Sequence, residues 1–302
     1  GKYGVRPIAN WEADGYPAHF AGIVEDFDPI DYLDRQQARR MDRFTQFAIA
    51  AAMDAVKHAG LELEAEDGDR VGVSLGTAVA GMGVVERESQ TLAIEGPRRV
   101  SPMLIPSVIG NMAACMISIM LKVRGPALCP TGACATGCMA IGEAFERIVR
   151  GELDVVLAGG SDSTITPLAV ASFGRLGALS RRTDEPALAC RPFDVDRDGT
   201  VLAEGAAVLV LESEEHAVAR GAGILAELAG YGVTSDAYHV AAPDPNGIGA
   251  AKSMRTALSR AGVSAADVQW VCAQEPLLTR SRGRQISMPL ATRSERPARS
   301  LR

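Results

Sequence analysis

The sequence predicts an α/β protein whose sheet is covered by helices on both faces. Its strand candidates read as continuous apolar runs, and they alternate with helical segments, which is the pattern of a sheet buried on two sides. Near Gly223 the rhythm of strand, helix and strand restarts, which predicts two related α/β halves, the second incomplete.

Taken in order, residues 35–60 place Met41, Phe44, Phe47, Ala48, Ala51 and Ala55 at helical spacing and end on Gly60, predicting one long amphipathic helix with a glycine C-cap. "RVGVSLG" reads as a buried strand. "IPSVIGNMAACMISIMLKVRG" predicts a helix starting near Pro106 and closed by Gly125, apolar on every side and therefore buried. "PALCP" is a short strand, "CATGCMAIGEAFERIVRGE" a helix, "DVVLAGG" and "AAVLVLES" strands, and "EEHAVARG" a helix. Beyond Gly223, "ILAELAGYG" is predicted as a strand, "IGAAKSMRTALSRAG" as a helix and "DVQWVCA" as a strand.

The 302 residues, 47% hydrophobic and 23% charged, are enough for a large core. A net charge of −6 argues against nucleic acid as a general partner, because a polyphosphate requires an excess of Lys and Arg. The sequence has no apolar run of about 18 residues and no signal-peptide pattern, so neither a membrane nor export is expected, and the expected location is the cytoplasm. Six cysteines, with no C-x2-C pair, are expected to be reduced, most of them buried as small hydrophobes.

"DVDRDG" (194–199) opens like a calcium loop, but position 12 is Gly205 and a strand follows, so an Asp- and Gly-rich turn is the better reading. No dinucleotide, Walker, zinc-protease or serine-hydrolase signature is present. The sharp feature is "PTGACATGCMAIGEAF", where Cys134 stands between a short strand and a helix. There the helix dipole and unpaired N–H groups favour a thiolate, and the N–H of Cys134 itself could serve an oxyanion hole. Spacing alone leaves nucleophile and core cysteine equally open, and predicts Cys138, one turn on, to be core. The basic run Arg35, Arg39, Arg40 and Arg43 reads first as a solvated face and second as a patch for an acidic partner.

Three long motifs in register, "GPALCPTGACATG", "DVVLAGGSDSTITPLAVASFGRLGALS" and "RPFDVDRDGTVLAEGAAVLVLE", resemble the elongating (type II) β-ketoacyl-acyl-carrier-protein synthases. "FDPIDYLDRQQARRMDRFTQFA" and "SPMLIPSVIGNMAA" are similar to further segments of that family, so that the likeness runs over residues 6–273. The resemblance implies a thiolase-like αβαβα layered fold, with residues 1–223 as the nucleophile-bearing half, 224–273 as the start of the second half, and usually a homodimer. It implies that Cys134 receives an acyl chain from acyl carrier protein and that malonyl-loaded carrier protein is decarboxylated to extend the chain. It implies that Ile109 and Phe173 line the acyl tunnel, that His239 lies near the pantetheine channel, and that Arg39 and Arg40 receive the acidic carrier protein. No metal or organic cofactor is implied. A non-catalytic partner subunit of the same fold and a thiolase-like coenzyme A acyltransferase are the rival readings; retention of Cys134 counts against the first and "RPFDVDRDG" against the second.

The departures are as informative. Gly132, Thr200 and Ala203 stand where the family commonly has Thr, Phe and Gly, and the family's opening strand is absent before Gly1. Gln274 stands where the family has the His of "NAHGTST", and the later Lys and second His do not occur. Residues 273–302 hold seven Arg and two Glu with no periodicity, and residues 274–302 are expected to be an aberrant, disordered tail. The codons CAC GGA ACC TCT ACT encode His-Gly-Thr-Ser-Thr; deletion of the third base gives Gln-Glu-Pro-Leu-Leu, the residues at 274–278. The expectation is a synthase sequence whose reading frame is lost at this His, leaving condensation impaired.

Overall fold

The computed structural model describes residues 4–240 and 242–274. The chain divides into two compact units, Gly1–Leu228 and Ala229–Arg302. In the first, β1 (Val5–Pro7) pairs antiparallel with β2 (Phe20–Gly22). Then come α1 (Arg35–Arg39) and α2 (Arg43–Ala59), β3 (Val71–Gly76), α3 (Met82–Glu95), α4 (Leu104–Val108) and α5 (Met112–Leu121). They are followed by β4 (Ala127–Leu128), α6 (Thr136–Val149), β5 (Val155–Ser163), α7 (Pro167–Arg175), β6 (Glu204–Glu212) and α8 (Glu214–Ala219). The second unit holds α9 (Ile248–Ala261).

The main sheet has the order β4-β3-β5-β6, parallel except for β6, which runs antiparallel to β5 from Val155↔Glu212 to Ser163↔Glu204. Successive side chains of a strand face opposite ways, and β5 uses both faces. Val155 and Leu157 join Phe44, Ile49, Leu75 and Ile117 in the large core under α2 and α5. Val156 and Ala158 join Ala144 and Leu153 under α6 on the other side. This is the helix–sheet–helix sandwich that the apolar runs predict.

Four expectations are corrected. The helix over 35–60 is two helices, because the buried Asp42 adopts extended backbone and its side chain accepts the Phe44 N–H, capping α2 afresh. Its far end on Gly60, left-handed at φ 58°, is as expected. The helix over 106–125 is α4 and α5, interrupted at Ile109–Asn111 and ended by left-handed Lys122 rather than by Gly125. Gly125 has another use: a Cβ there would stand 2.5 Å from the Val71 carbonyl oxygen. Nor is this segment buried all round, since Ile119 is 67% exposed and Ile105 63%.

The strands expected at 224–232 and 267–273 pair with nothing among the described residues. A strand exists only with a ladder partner; residues 230–232 instead lie against α9, where Ser253 Oγ donates to the Gly232 carbonyl at 2.6 Å. The cysteines are not core residues: Cys115 and Cys129 are half-buried and Cys134, Cys138, Cys190 and Cys272 are exposed. Cys138 lies on the same helical stripe as Cys134, one turn later, and is open to solvent with it. Among the described residues no helix is long and apolar enough to cross a membrane. Gln274 is exposed, and the rest of the Arg-rich tail lies outside the described residues.

Candidate active site

The chain leaves edge strand β4 through Cys129, Pro130, Thr131 and Gly132, makes a single 3-10 turn over Ala133–Ala135, and enters α6. Cys134 sits at the centre of that turn, exposed. Within the turn the Ala135 N–H donates to the Gly132 carbonyl and the Thr136 N–H to that of Ala133, so the turn leads directly into α6, whose N-terminal end carries the positive end of the helix dipole. The residue before Cys134, Ala133, has φ of +50°, a left-handed conformation that costs a non-glycine residue about 1 kcal/mol. Such strain persists only where the surroundings over-determine it.

Those surroundings are specific. The Gly132 N–H donates to Thr136 Oγ1 at 2.8 Å, and the Thr131 hydroxyl donates to the Thr77 carbonyl at 3.3 Å. A Cβ on Gly76 would meet Thr136 Cγ2 and the Pro130 oxygen, and one on Gly160 would lie 3.4 Å from the Gly137 Cα. These glycines let the first turn of α6 rest directly on the ends of β3 and β5. Gly132, one of the departures from the family pattern, also has a local reason: a side chain there would collide with Met139 Sδ.

The other candidates lie on separate elements of the two units. Ile109 is 43% exposed in the break between α4 and α5, next to Gly110, whose Cα faces Cys129 Sγ and Thr77 Cγ2. Phe173, half-buried on α7, packs with Val170 and Leu179 in a small separate core. His239 is an exposed residue of the second unit, its Nδ1 accepting the Ala242 N–H at 3.0 Å. Arg39 and Arg40 end α1 with exposed side chains. Arg43 does not belong with them: it is ion-paired to Glu204 and stacked on Phe47, 4.6 Å from the ring centre.

Sequence reasoning missed Asp162. This residue near the end of β5 accepts the Thr77 hydroxyl at 2.7 Å and the N–H groups of Ala78 and Val79 at 3.0–3.2 Å. A charged residue closing the otherwise apolar run "VVLAGGSD" was the signal that could have marked it.

Fold and site together define a thiolase-like α/β protein with a cysteine presented at a strand-to-helix turn. Residues 1–217 match the family model for the β-ketoacyl synthase N-terminal domain, and residues 225–275 match that for the C-terminal domain. The chain belongs to the β-ketoacyl synthase family. It is 45% identical over 271 residues to the 3-oxoacyl-[acyl-carrier-protein] synthase 2 of Staphylococcus aureus, an alignment covering 90% of this chain and 67% of that one. A β-ketoacyl synthase from Burkholderia phymatum STM815 superposes with a TM-score of 0.79 at 34% identity, over 88% of this chain and 65% of that one. A type II polyketide ketosynthase in complex with its acyl carrier protein and bound to the hexaketide gives 0.78 at 33%, over 88% and 64%. The chain thus spans about two thirds of the length of the relatives it matches.

Proposed function

We propose that Cys134 is the acyl-accepting nucleophile of a 3-oxoacyl-acyl-carrier-protein synthase. The observation that carries this is the exposed thiol on a strained turn at the start of α6, in a chain of this family. The Cys134 thiolate attacks the carbonyl carbon of an acyl thioester on acyl carrier protein, forming a new thioester. The carrier's pantetheine sulfur leaves and takes up a proton. The N–H of Cys134, in the turn just before α6, faces the oxyanion formed on the way. Arg39 and Arg40 dock the acidic carrier, Ile109 and Phe173 line the acyl path, and His239 contacts the pantetheine arm. Residues 1–223 form the nucleophile-bearing half and 224–273 the start of the second. The setting is cytoplasmic fatty-acid or polyketide synthesis, and the assembly a homodimer.

In the family resemblance a His stabilises the carbanion of malonyl decarboxylation, and Gln274 stands at its position. The acylation half-reaction is therefore expected to survive in this chain and the condensation half-reaction to fail. Intact-mass analysis after incubation with acyl-loaded carrier protein tests the first: one acyl group on the Cys134 peptide, absent from Cys134→Ala, is expected. An unmodified chain refutes the nucleophile. Measurable release of carbon dioxide from malonyl carrier protein would overturn the second expectation.

A further inference from the structure

We propose that Asp162 is a positioning residue for Cys134, acting through the Thr77–Ala80 turn. This deepens the reading of Cys134 as a nucleophile and rests on it. The carboxylate takes the Thr77 hydroxyl on Oδ1 at 2.7 Å, the Ala78 N–H on Oδ2 at 3.0 Å and the Val79 N–H on Oδ1 at 3.2 Å. Thr77 Oγ1 in turn accepts the Ala80 N–H at 2.9 Å. One anion thereby fixes a whole turn, including Ala80, which has a left-handed φ of +53°. Hydrogen bonds to an ionised acceptor are about twice as strong as neutral ones, so this anchor is stiff.

The fixed turn bears on the cysteine loop at two points. The Thr77 carbonyl receives the Thr131 hydroxyl, three residues before Cys134. Gly76, at the start of the turn, packs so closely on Pro130 and Thr136 that a Cβ would stand 2.7 Å from the Pro130 oxygen. Two loops, each with a strained alanine, therefore brace each other, and Asp162 holds the outer one. A nucleophile needs its supporting shell locked as firmly as itself. Without Asp162, the turn at 77–80 loses its anchor, Thr131 loses a fixed partner, and the loop that presents Cys134 loses its brace.

The test is alkylation of the full chain by iodoacetamide, resolved peptide by peptide, with the rate at Cys134 divided by that at exposed Cys190. This ratio does not move if Asp162 only adds global stability, which a separate thermal melt reports. In the wild type Cys134 is expected to react faster than Cys190. Asp162→Ala is expected to lower the ratio about tenfold, the loss of roughly one stiff charge-assisted anchor. Thr131→Val, which removes the link to Thr77 along with a long 3.9 Å contact to Cys129 Sγ, is expected to lower it too, and the double variant to be no worse than Asp162→Ala, since both act along one path. An unchanged ratio in Asp162→Ala overturns the proposal, as does strict additivity in the double variant. Should Asp162→Ala not fold, Thr131→Val decides alone, by a lowered or an unchanged ratio. If Cys134 alkylates selectively but never takes an acyl group from carrier protein, the proposed function fails while the role of Asp162 stands.

Discussion

Arg43 grips Glu204 with two hydrogen bonds, Nε to Oε2 and Nη2 to Oε1, each 2.9 Å, across 161 positions of sequence. The Glu204 side chain is only 5% exposed, and the Ser163 hydroxyl and Val24 N–H also donate to it. Breaking a buried pair leaves the more buried charge uncompensated, and here that is the carboxylate. Arg43→Ala is therefore expected to destabilise by about 3 kcal/mol, and Glu204→Ala by less, because the Arg43 guanidinium keeps solvent and its stacking on Phe47. Urea unfolding of the two variants measures the asymmetry; equal losses would contradict it.

The neighbouring arginines are expected to behave otherwise. Arg39 and Arg40 are exposed at the end of α1, so reversing their charge should leave the unfolding midpoint where it is. Acyl transfer from the acidic carrier protein to Cys134 should slow about tenfold in Arg39→Glu/Arg40→Glu at low salt, and the difference should shrink as salt screens the attraction. Alkylation of Cys134 by a small neutral reagent needs no docking and serves as the control.

His216 bridges two carboxylates, Nε2 to Glu66 and Nδ1 to Glu212, both at 2.8 Å, while Arg220 holds the other edge of Glu212. Burial opposes the imidazolium, but the hydrogen bonds to Glu66 and Glu212 outweigh it and raise the His216 pKa above its usual 6.5. Burial likewise works against the Glu212 carboxylate and is outweighed by Arg220 and His216, which lower its pKa below 4.5. The His216 contribution to stability is full below pH 6.5 and lost as pH rises through the raised folded value. That of Glu212 is present above pH 4.5 and lost as pH falls through the lowered one. The melting temperature should therefore peak between the two, and in His216→Gln the decline on the alkaline side should flatten. An alkaline limb of unchanged slope would remove His216 as its source.

Much of this fold was legible because burial on both faces writes itself as unbroken apolar runs: "RVGVSLG" and "DVVLAGG" are β3 and β5, side by side in the sheet. What was not legible depends on partners distant in sequence. Residues 224–232 have strand composition but no ladder partner among the described residues, and no local pattern reports that. Asp42 falls inside the helical spacing of residues 35–60, and only its side-chain bond to the Phe44 N–H makes it the cap of α2. At the site, the small residues around Cys134 marked the turn, whereas Asp162 meets its partners at 77–79, more than 80 positions earlier. The left-handed Ala133 carries no warning in its name, since glycine is the residue that usually signals such a conformation.

That strain is itself measurable. Ala133 at φ +50° pays a steric penalty that glycine does not, and its neighbours Gly132 and Thr131 are already tied to Thr136 and Thr77. Ala133→Gly should stabilise the folded chain by about 0.5 kcal/mol, the relief of strain less the extra freedom glycine gives the unfolded state. Thr136→Val should do the reverse, leaving the Gly132 N–H without its acceptor at a cost of about 1–2 kcal/mol. If the turn matters for reactivity as well as stability, the two variants will part company with their melting points: Ala133→Gly, although more stable, should alkylate at Cys134 more slowly than the wild type, because a glycine hinge lets the thiol leave the start of α6. A faster reaction in Ala133→Gly would mean that the strained turn restrains the thiol rather than presents it.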